Sequence, residues 1–563
     1  MNRQTETPTF PDDFDLARYY LFDRVSEGLG AKVAVRFGAR SFTYDDVAAR
    51  ARAFSALLAD ADVRRGERVL LVLTDAPPFV WSFFGTLHRG AVVAMGNPHA
   101  AAEQIVYLAK YTRATAVVTH PEVATVLAEA KAKGELAELR AIFVTNEVAT
   151  GEDCETEAQG DDLAKARYGS AGDVRVDLAA RLRAARGKDG GLPLHRDEPA
   201  IWLFTSGSTG EPKANVHSHR DFAWNTEVYA KRTVGYRASD VTLSVPRLFF
   251  GYATGTNLMF PFAVGGTTAL FSERPTPESL VAALAWSKPT IVTNVPTMLG
   301  KLLDHDESER REGRPGLDLS SVRFSLSAGE ALPESLLRRW LDRMKSEVYD
   351  GIGSAEMFHI YASNRPGDVK PGSLGRVVAG YELRVLPEEA EGPGATPCAP
   401  GDIGVLWVKG DSVSHGYWLD RDKSFRTFHG HWCRTGDLFT IDADGYLYFA
   451  GRADELIKVS GLWVSPLEVE ECLMRHPEVS MAAVIGVMDE GLVKPKAFVV
   501  LRGGASRGSS GLAAELQAHV KGSLSKHKYP RFVEFVDDLP KNDRGKVDRK
   551  GLRALEASRG GAS

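Results

Sequence analysis

Short β-branched or apolar runs at 69–73, 115–119, 141–145 and 290–293 alternate along the chain with longer stretches of helical pattern. Runs of the first kind suit strands, and the 3.6-residue period suits helices. Their alternation predicts an α/β protein of parallel sheets covered by helices. One helix start is explicit in Pro275-Thr276-Pro277-Glu278. Thr276 is placed to N-cap it, Pro277 suits its first turn, and Leu280, Val281, Leu284 and Ala285 give it an apolar stripe. Ile201-Trp202-Leu203-Phe204 reads as a strand, and a helical stretch follows from about Arg220. Between 147 and 192 the text turns acidic, then basic, then Gly-rich, with few bulky apolar residues, which predicts a surface insertion or mobile loop. Beyond Gly451-Arg452-Ala453-Asp454 the pattern becomes mixed: helix near 466–475, strands near 481–487 and 497–501, helix near 512–524. The expected organisation is a large domain over 1–453, a compact α+β domain over 454–556, and a frayed tail over 557–563.

Composition narrows the partners. A chain of 563 residues with 44% hydrophobic and 25% charged content has the balance of a soluble multidomain protein. The 69 Lys and Arg against 74 Asp and Glu leave a net charge of −5, with no basic stripe to attract a nucleic-acid backbone. Cys154, Cys398, Cys433 and Cys472 are far apart and form no CxxC pair, which argues against a disulfide framework or a zinc site. The start lacks a signal-peptide pattern and no apolar run suits a membrane helix, so the expected location is the cytoplasm.

The strongest chemical signal is Thr205-Ser206-Gly207-Ser208-Thr209-Gly210-Glu211-Pro212-Lys213, directly after the 201–204 strand. Gly207 and Gly210 allow close backbone approach, the hydroxyls and main-chain N–H groups can wrap phosphate oxygens, and Lys213 adds a positive charge. The run departs from GxxxxGK[ST], which disfavours an ordinary P-loop ATPase. A lone Ser-Thr-Gly is often a plain linker, but nine such residues ending in a lysine are not.

With this run the chain resembles the adenylate-forming superfamily of acyl-CoA synthetases, luciferases and peptide-synthetase adenylation domains. The likeness continues through 327–333, 350–357, 434–437, 451–455 and 539–546, in the family's order. It implies the family fold, a large domain of mostly parallel sheets with a small mobile α+β domain, and ATP, Mg²⁺ and coenzyme A as ligands. It implies that Ala328, Gly329, Glu330, Asp350, Gly351 and Ile352 line the adenine site, and that Glu356 helps hold Mg²⁺. Asp437 matches the acceptor of ribose hydroxyls, and Arg452 the arginine that contacts ribose or phosphate. Lys546 matches the catalytic lysine, whose charge offsets the repulsion between a carboxylate and an α-phosphate. Asp454 matches the hinge about which the small domain turns between half-reactions, and Lys458, Ser460 and Gly461 the segment presented to the pantetheine tunnel. Ala355 departs from the usual Thr, whose hydroxyl reaches the α-phosphate.

Within the superfamily the resemblance is nearest to benzoate-CoA ligases and their aryl relatives. It rests on 247–252, 327–333, 350–366 and 458–466. It implies that Phe250, Gly251, Tyr252, Gly255, Ile352, Gly353, His359 and Ile360 surround an aromatic ring, with Gly251 in place of Ala making the pocket roomier or reshaped. The expected reaction joins benzoate, 2-aminobenzoate or 4-hydroxybenzoate to CoA through the aryl-adenylate. Loading of a carrier-protein pantetheine in trans, activation of a cyclic aliphatic acid, and a catalytically silent nucleotide binder are the rival readings. A monomer and a homodimer are equally compatible with the text.

Overall fold

A computed structural model describes residues 7–146, 174–206, 212–330, 332–452, 455–459, 462–489, 491–502, 504–505, 508–540 and 547–560. Among them two large sheets dominate. The nine-stranded sheet runs Arg376–Val377, Ile360–Ser363, Val348–Gly353, Phe324–Ser327, Ile291–Asn294, Val241–Ser244, Thr267–Leu270, Val33–Phe37, Arg40–Thr43. The seven-stranded sheet runs Arg175–Asp177, Ala141–Val144, Ala114–Thr119, Arg68–Val72, Val92–Met95, Pro199–Ser206, Pro212–Ser218. Pairing is parallel through the middle of both and antiparallel at edges. The expected α/β architecture is therefore present, and the strand runs expected near 69, 115, 141 and 290 all form.

A continuous core joins the sheets. Leu71, Val93 and Val118 of one and Phe37, Leu270 and Leu326 of the other share it with residues of helices Tyr44–Asp60, Pro77–His88 and His219–Asn225. Helices Pro277–Ser287, Pro296–Arg311 and Glu334–Met344 bury a second cluster against the nine-stranded sheet, and Ala102–Tyr111 and Pro121–Ala132 a third against the seven-stranded one. Thr276 caps as expected, accepting from the Ser279 N–H at 3.2 Å. The buried stripe of that helix is Leu280, Ala283, Leu284 and Ser287; Ala285 faces solvent, because the helix turns its next inward position onto 287.

Two expectations change, and one further sheet joins the parallel layers. The Arg175–Asp177 strand and the Leu178–Ala184 helix fall inside the supposed 147–192 loop, where Leu178 is buried against the core and Asp177 N-caps the helix; the rest of that segment to 173 lies outside the described residues. An antiparallel sheet of Glu382–Leu386, Gly404–Lys409, Trp432–Ile441, Phe428–His429 and Leu447–Arg452 follows the parallel layers. Helix Arg549–Gly560 extends into the supposed tail.

The C-terminal part has its own core of Val469, Leu473, Val484, Val499, Leu516 and Val520. It is enclosed by helices Pro466–Met474 and Ser510–Ser523 on the sheet Val479–Asp489, Leu492–Leu501, Phe532–Phe535. Among the described residues no helix is long and apolar enough to cross a membrane, and Cys398, Cys433 and Cys472 are free.

Candidate active site

The glycine-rich run is bracketed by two strands rather than a strand and a helix. Pro199–Ser206 pairs antiparallel with Pro212–Ser218, setting Thr205 opposite Lys213. Gly207, Ser208, Thr209 and Gly210 lie outside the described residues, as does the side chain of Ser206. The Lys213 ammonium donates to Asp420 at 2.7 Å, and that bond holds the Asp420 carboxyl below its ordinary range. A charge-assisted contact of this length is a strong one, so the loop lysine stands on a counter-ion supplied by a distant segment.

Glu356 belongs to the short turn Ala355–Met357 that follows strand Val348–Gly353. Three contacts place it. The Tyr417 hydroxyl donates to its Oε1 at 2.8 Å, and its carbonyl accepts from the Ser414 N–H at 2.9 Å. The preceding carbonyl, of Ala355, is 2.6 Å from Nε2 of buried His217, whose Nδ1 lies 3.0 Å from Asp221. Asp221 is itself folded back on the Ser218 N–H at 2.9 Å. The backbone at Ala355 is thus pinned from behind, whatever its missing hydroxyl would have added. Just beyond, Phe358 has φ 66 and is buried with its ring centroid 3.9 Å from that of Phe222. A left-handed aromatic residue stores strain of about 1–3 kcal/mol, held here by packing at the bend between Glu356 and His359. Among the described residues no group of three His, Cys, Asp or Glu could cage a metal. One carboxylate whose second oxygen has no partner among the described residues suits Mg²⁺, which keeps waters and phosphate oxygens as its other ligands.

Asn294, Ser327 and Asp350 stand side by side in register near the carboxyl ends of three parallel strands. All three are buried, and among the described residues Asn294 Oδ1, Ser327 Oγ and Asp350 Oδ1 make no well-formed hydrogen bond, though the Ser327 hydroxyl lies near enough to the Asp350 carboxyl to offset part of its burial. Burial drives the Asp350 carboxyl up to about 8. Orphaned buried polar atoms are costly, and a row of them at the carboxyl edge of an open α/β sheet is where such folds take a ligand. Ala328 is buried directly after this row, while Glu330 accepts from the Thr297 hydroxyl at 2.7 Å. Gly351 and half-buried Ile352 continue strand Val348–Gly353. Asp437 and Arg452 face each other across paired strands at 3.3 Å.

Of the residues expected around a ring, Tyr252, Gly255, Gly353 and His359 come together. His359 is buried, its Nε2 is 3.0 Å from the Tyr252 carbonyl, and its ring lies 4.7 Å from Phe260, 5.3 Å from Tyr252 and 5.6 Å from Tyr229. Burial pulls its pKa down to about 3, so the imidazole is neutral. Gly255 and Gly353 are required by this histidine: a Cβ at 255 would meet its ring at 2.6 Å, and one at 353 its carbonyl at 2.5 Å. Ile360 is buried beside it, and Phe250 stacks obliquely on Phe249 at 4.4 Å. At Gly251 a methyl would meet the Leu203 side chain at 3.2 Å, so Leu203 takes up the space that Gly for Ala was expected to leave open.

Asp454, Ser460, Gly461 and Lys546 lie outside the described residues, and of Lys458 only the backbone, in strand Ile457–Val459, is described. His217, Asp221, Tyr417, Asp420 and Lys423 escaped the sequence reading. His217 and Asp221 stand four apart, as ordinary helix-start residues do, and the others sit in and just before a short helix that carries no motif.

The described residues combine the strand pair that flanks the glycine-rich run, an anchored carboxylate, a buried polar row near the carboxyl ends of parallel strands, and a carboxylate–guanidinium pair on an antiparallel sheet. Such features suit the binding of a nucleotide, and the chain belongs to the AMP-binding enzyme family. The model of that family matches residues 22–418, and the model of the AMP-binding enzyme C-terminal domain matches 468–546. The chain is 37% identical to a benzoate–CoA ligase of Thauera aromatica, over 97% of this chain and 96% of that one. It is 36% identical to a 4-hydroxybenzoate–CoA/benzoate–CoA ligase of Rhodopseudomonas palustris, over 96% and 94%. Among solved structures it resembles the anthranilate CoA ligase AuaEII in complex with anthranoyl-AMP, with TM-score 0.85 and 32% identity over 98% of this chain and 99% of that one.

Proposed function

We propose that the protein is an AMP-forming aryl-CoA ligase, activating benzoate or a substituted benzoate with MgATP and passing the acyl group to free coenzyme A. The observation that carries this reading is the conjunction, within one fold matched along nearly its whole length by aryl-CoA ligases, of an apolar His359–Tyr252 corner with the Lys213, Glu356, Asp437 and Arg452 set. In the first half-reaction a carboxylate oxygen of the acid attacks the α-phosphorus, and the bond to the β-phosphate oxygen breaks to release pyrophosphate. In the second, the CoA sulfur attacks the acyl carbon, the thiol proton is lost, and AMP leaves with the bonding pair.

The residues divide this work. The glycine-rich run 205–210 and Lys213 receive the polyphosphate. Glu356, steadied by Tyr417 and by the His217 anchor, holds Mg²⁺, which supplies charge neutralisation to the phosphates when bound. Asp350, neutral near pH 7, offers both a donor and an acceptor, which suits the amino and ring-nitrogen edge of adenine; Ala328, Gly329, Glu330, Gly351 and Ile352 wall the base. Asp437 takes the ribose hydroxyls, and Arg452, released from it in part, turns to sugar or phosphate. Phe250, Gly251, Tyr252, Gly255, Gly353, His359 and Ile360 enclose the ring, a flat apolar surround for a flat apolar substrate. Lys546 bridges carboxylate and α-phosphate in the first step. Asp454 is the hinge between domains 1–453 and 454–556, and Lys458, Ser460 and Gly461 meet the pantetheine arm in the second.

Free CoA is the acceptor on this reading, with a carrier protein in trans as the alternative, and a cytoplasmic site of action follows from the need for ATP and CoA. Substrate-dependent pyrophosphate exchange over benzoate, its amino and hydroxy derivatives, cyclic aliphatic acids and short fatty acids tests it. Aromatic acids should lead; exchange confined to fatty acids would remove the aryl assignment.

A further inference from the structure

Lys423 has no part in the reading so far, yet it stands among all the charged groups that do. It lies in helix Arg421–Thr427, whose N-cap Asp420 accepts from the Lys423 N–H at 3.2 Å while taking the Lys213 ammonium on its other oxygen. Its own ammonium is 4.4 Å from the ring centroid of Tyr417, the residue that holds Glu356. The charges that act on it are those of Lys213, Glu356, Asp420 and Arg452. No carboxylate makes an ion pair with it among the described residues: Asp420 is engaged by Lys213, and Glu356 by the Tyr417 hydroxyl.

Partial burial, followed by repulsion from Lys213, lowers its pKa. A partly desolvated cation set among two cations and two carboxylates, with neither carboxylate in ion-pair contact with it among the described residues, is placed to take an incoming anion. Its ammonium meanwhile lies over the Tyr417 face, which fixes where the charge is presented. We propose that Lys423 is a further phosphate-binding residue, taking the β- and γ-phosphates of ATP and the pyrophosphate that leaves. This rests on the adenylating reading for its ligand. The β,γ end is favoured over the α-phosphate because Lys423 shares Asp420 with the glycine-loop lysine and shares Tyr417 with the Mg²⁺ carboxylate. Its charge therefore acts in the first half-reaction and is idle in the second.

Lys423→Met keeps an unbranched side chain of similar length and removes the charge; Lys423→Arg keeps the charge. Titration calorimetry of the full chain with MgATP, magnesium pyrophosphate and AMP separates the possibilities. Lys423→Met should bind MgATP and pyrophosphate about ten- to a hundredfold more weakly, the range for a hydrogen bond to a charged group. AMP affinity should stay at the wild-type value, and Lys423→Arg should recover most of the loss. Unchanged MgATP affinity, or equal loss for AMP and MgATP, would overturn the assignment. A wild-type protein that binds MgATP but forms no adenylate from any acid would instead defeat the ligase reading, while the same affinities still decide on Lys423.

Discussion

Gly255→Ala asks whether His359 walls the ring pocket or merely fills the core. The added Cβ would lie 2.6 Å from Cδ2 and Nε2 of His359 and 3.0 Å from Phe260 Cζ, where ordinary carbon contacts are about 3.5–4.0 Å. The backbone there is helical, at φ −66 and ψ −65, so alanine adds no dihedral strain and the effect is steric. The imidazole has little slack, being bonded to the Tyr252 carbonyl and packed on Phe260, Tyr252 and Tyr229. Overpacking of this kind costs about 1–3 kcal/mol. If His359 yields toward the ring site, that cost falls on acid binding, which at about 1.4 kcal/mol per decade raises the KM for benzoate by roughly 5- to 150-fold. The assay is pyrophosphate exchange with benzoate and ATP varied separately, alongside urea denaturation. The KM for ATP should stay constant. A folded, destabilised variant with unchanged benzoate KM would make His359 core only, and an equal rise in both KM values would place the disturbance outside the ring pocket.

Asp350→Asn should flatten the pH dependence of stability. The carboxyl ionises near 8 when folded against an ordinary 3.8, so the unfolded chain loses its proton first and wild-type stability falls as pH rises from about 4 to 8. The difference between pH 5 and pH 8 is on the order of 4 kcal/mol, read as urea midpoints of wild type and variant at the two pH values; parallel midpoints would mean Asp350 ionises normally. Tyr417→Phe removes the bond to Glu356 and should lower kcat/KM for MgATP by about ten- to a hundredfold while leaving conversion of supplied aryl-adenylate to thioester intact; equal loss in both halves would mean misfolding. Lys546→Ala should cost adenylation roughly a thousandfold, from about 4 kcal/mol for one charge pair at an effective dielectric of 20, and single-turnover adenylate formation at the wild-type rate would remove its catalytic role.

What was legible in the sequence was local. Thr276, Pro277 and the apolar runs announce their elements because capping and strand burial depend on neighbours in the chain. The Arg175–Asp177 strand was hidden since three half-buried residues carry no periodicity, and its place is set by pairing with Ala141–Val144. Lys213, Glu356, Asp437 and Arg452 stand out through motifs, but the residues that contact them do not. Tyr417 lies 61 residues from Glu356, and Asp420 lies 207 from Lys213. Tertiary contacts of that span leave no spacing to read, which is why the Lys213–Asp420 pair and the His217 anchor emerge with the fold. Leu203 closing on Gly251 is the same case: packing, not residue size at one position, decides how much room a pocket has.

The most direct test of the central claim is the fate of ATP when the protein turns over an aromatic acid with CoA. Quenched reactions with benzoate, MgATP and CoA, resolved by chromatography, should contain AMP, pyrophosphate and benzoyl-CoA in equal amounts, with benzoyl-AMP and pyrophosphate alone when CoA is omitted. ADP and orthophosphate in their place would contradict it.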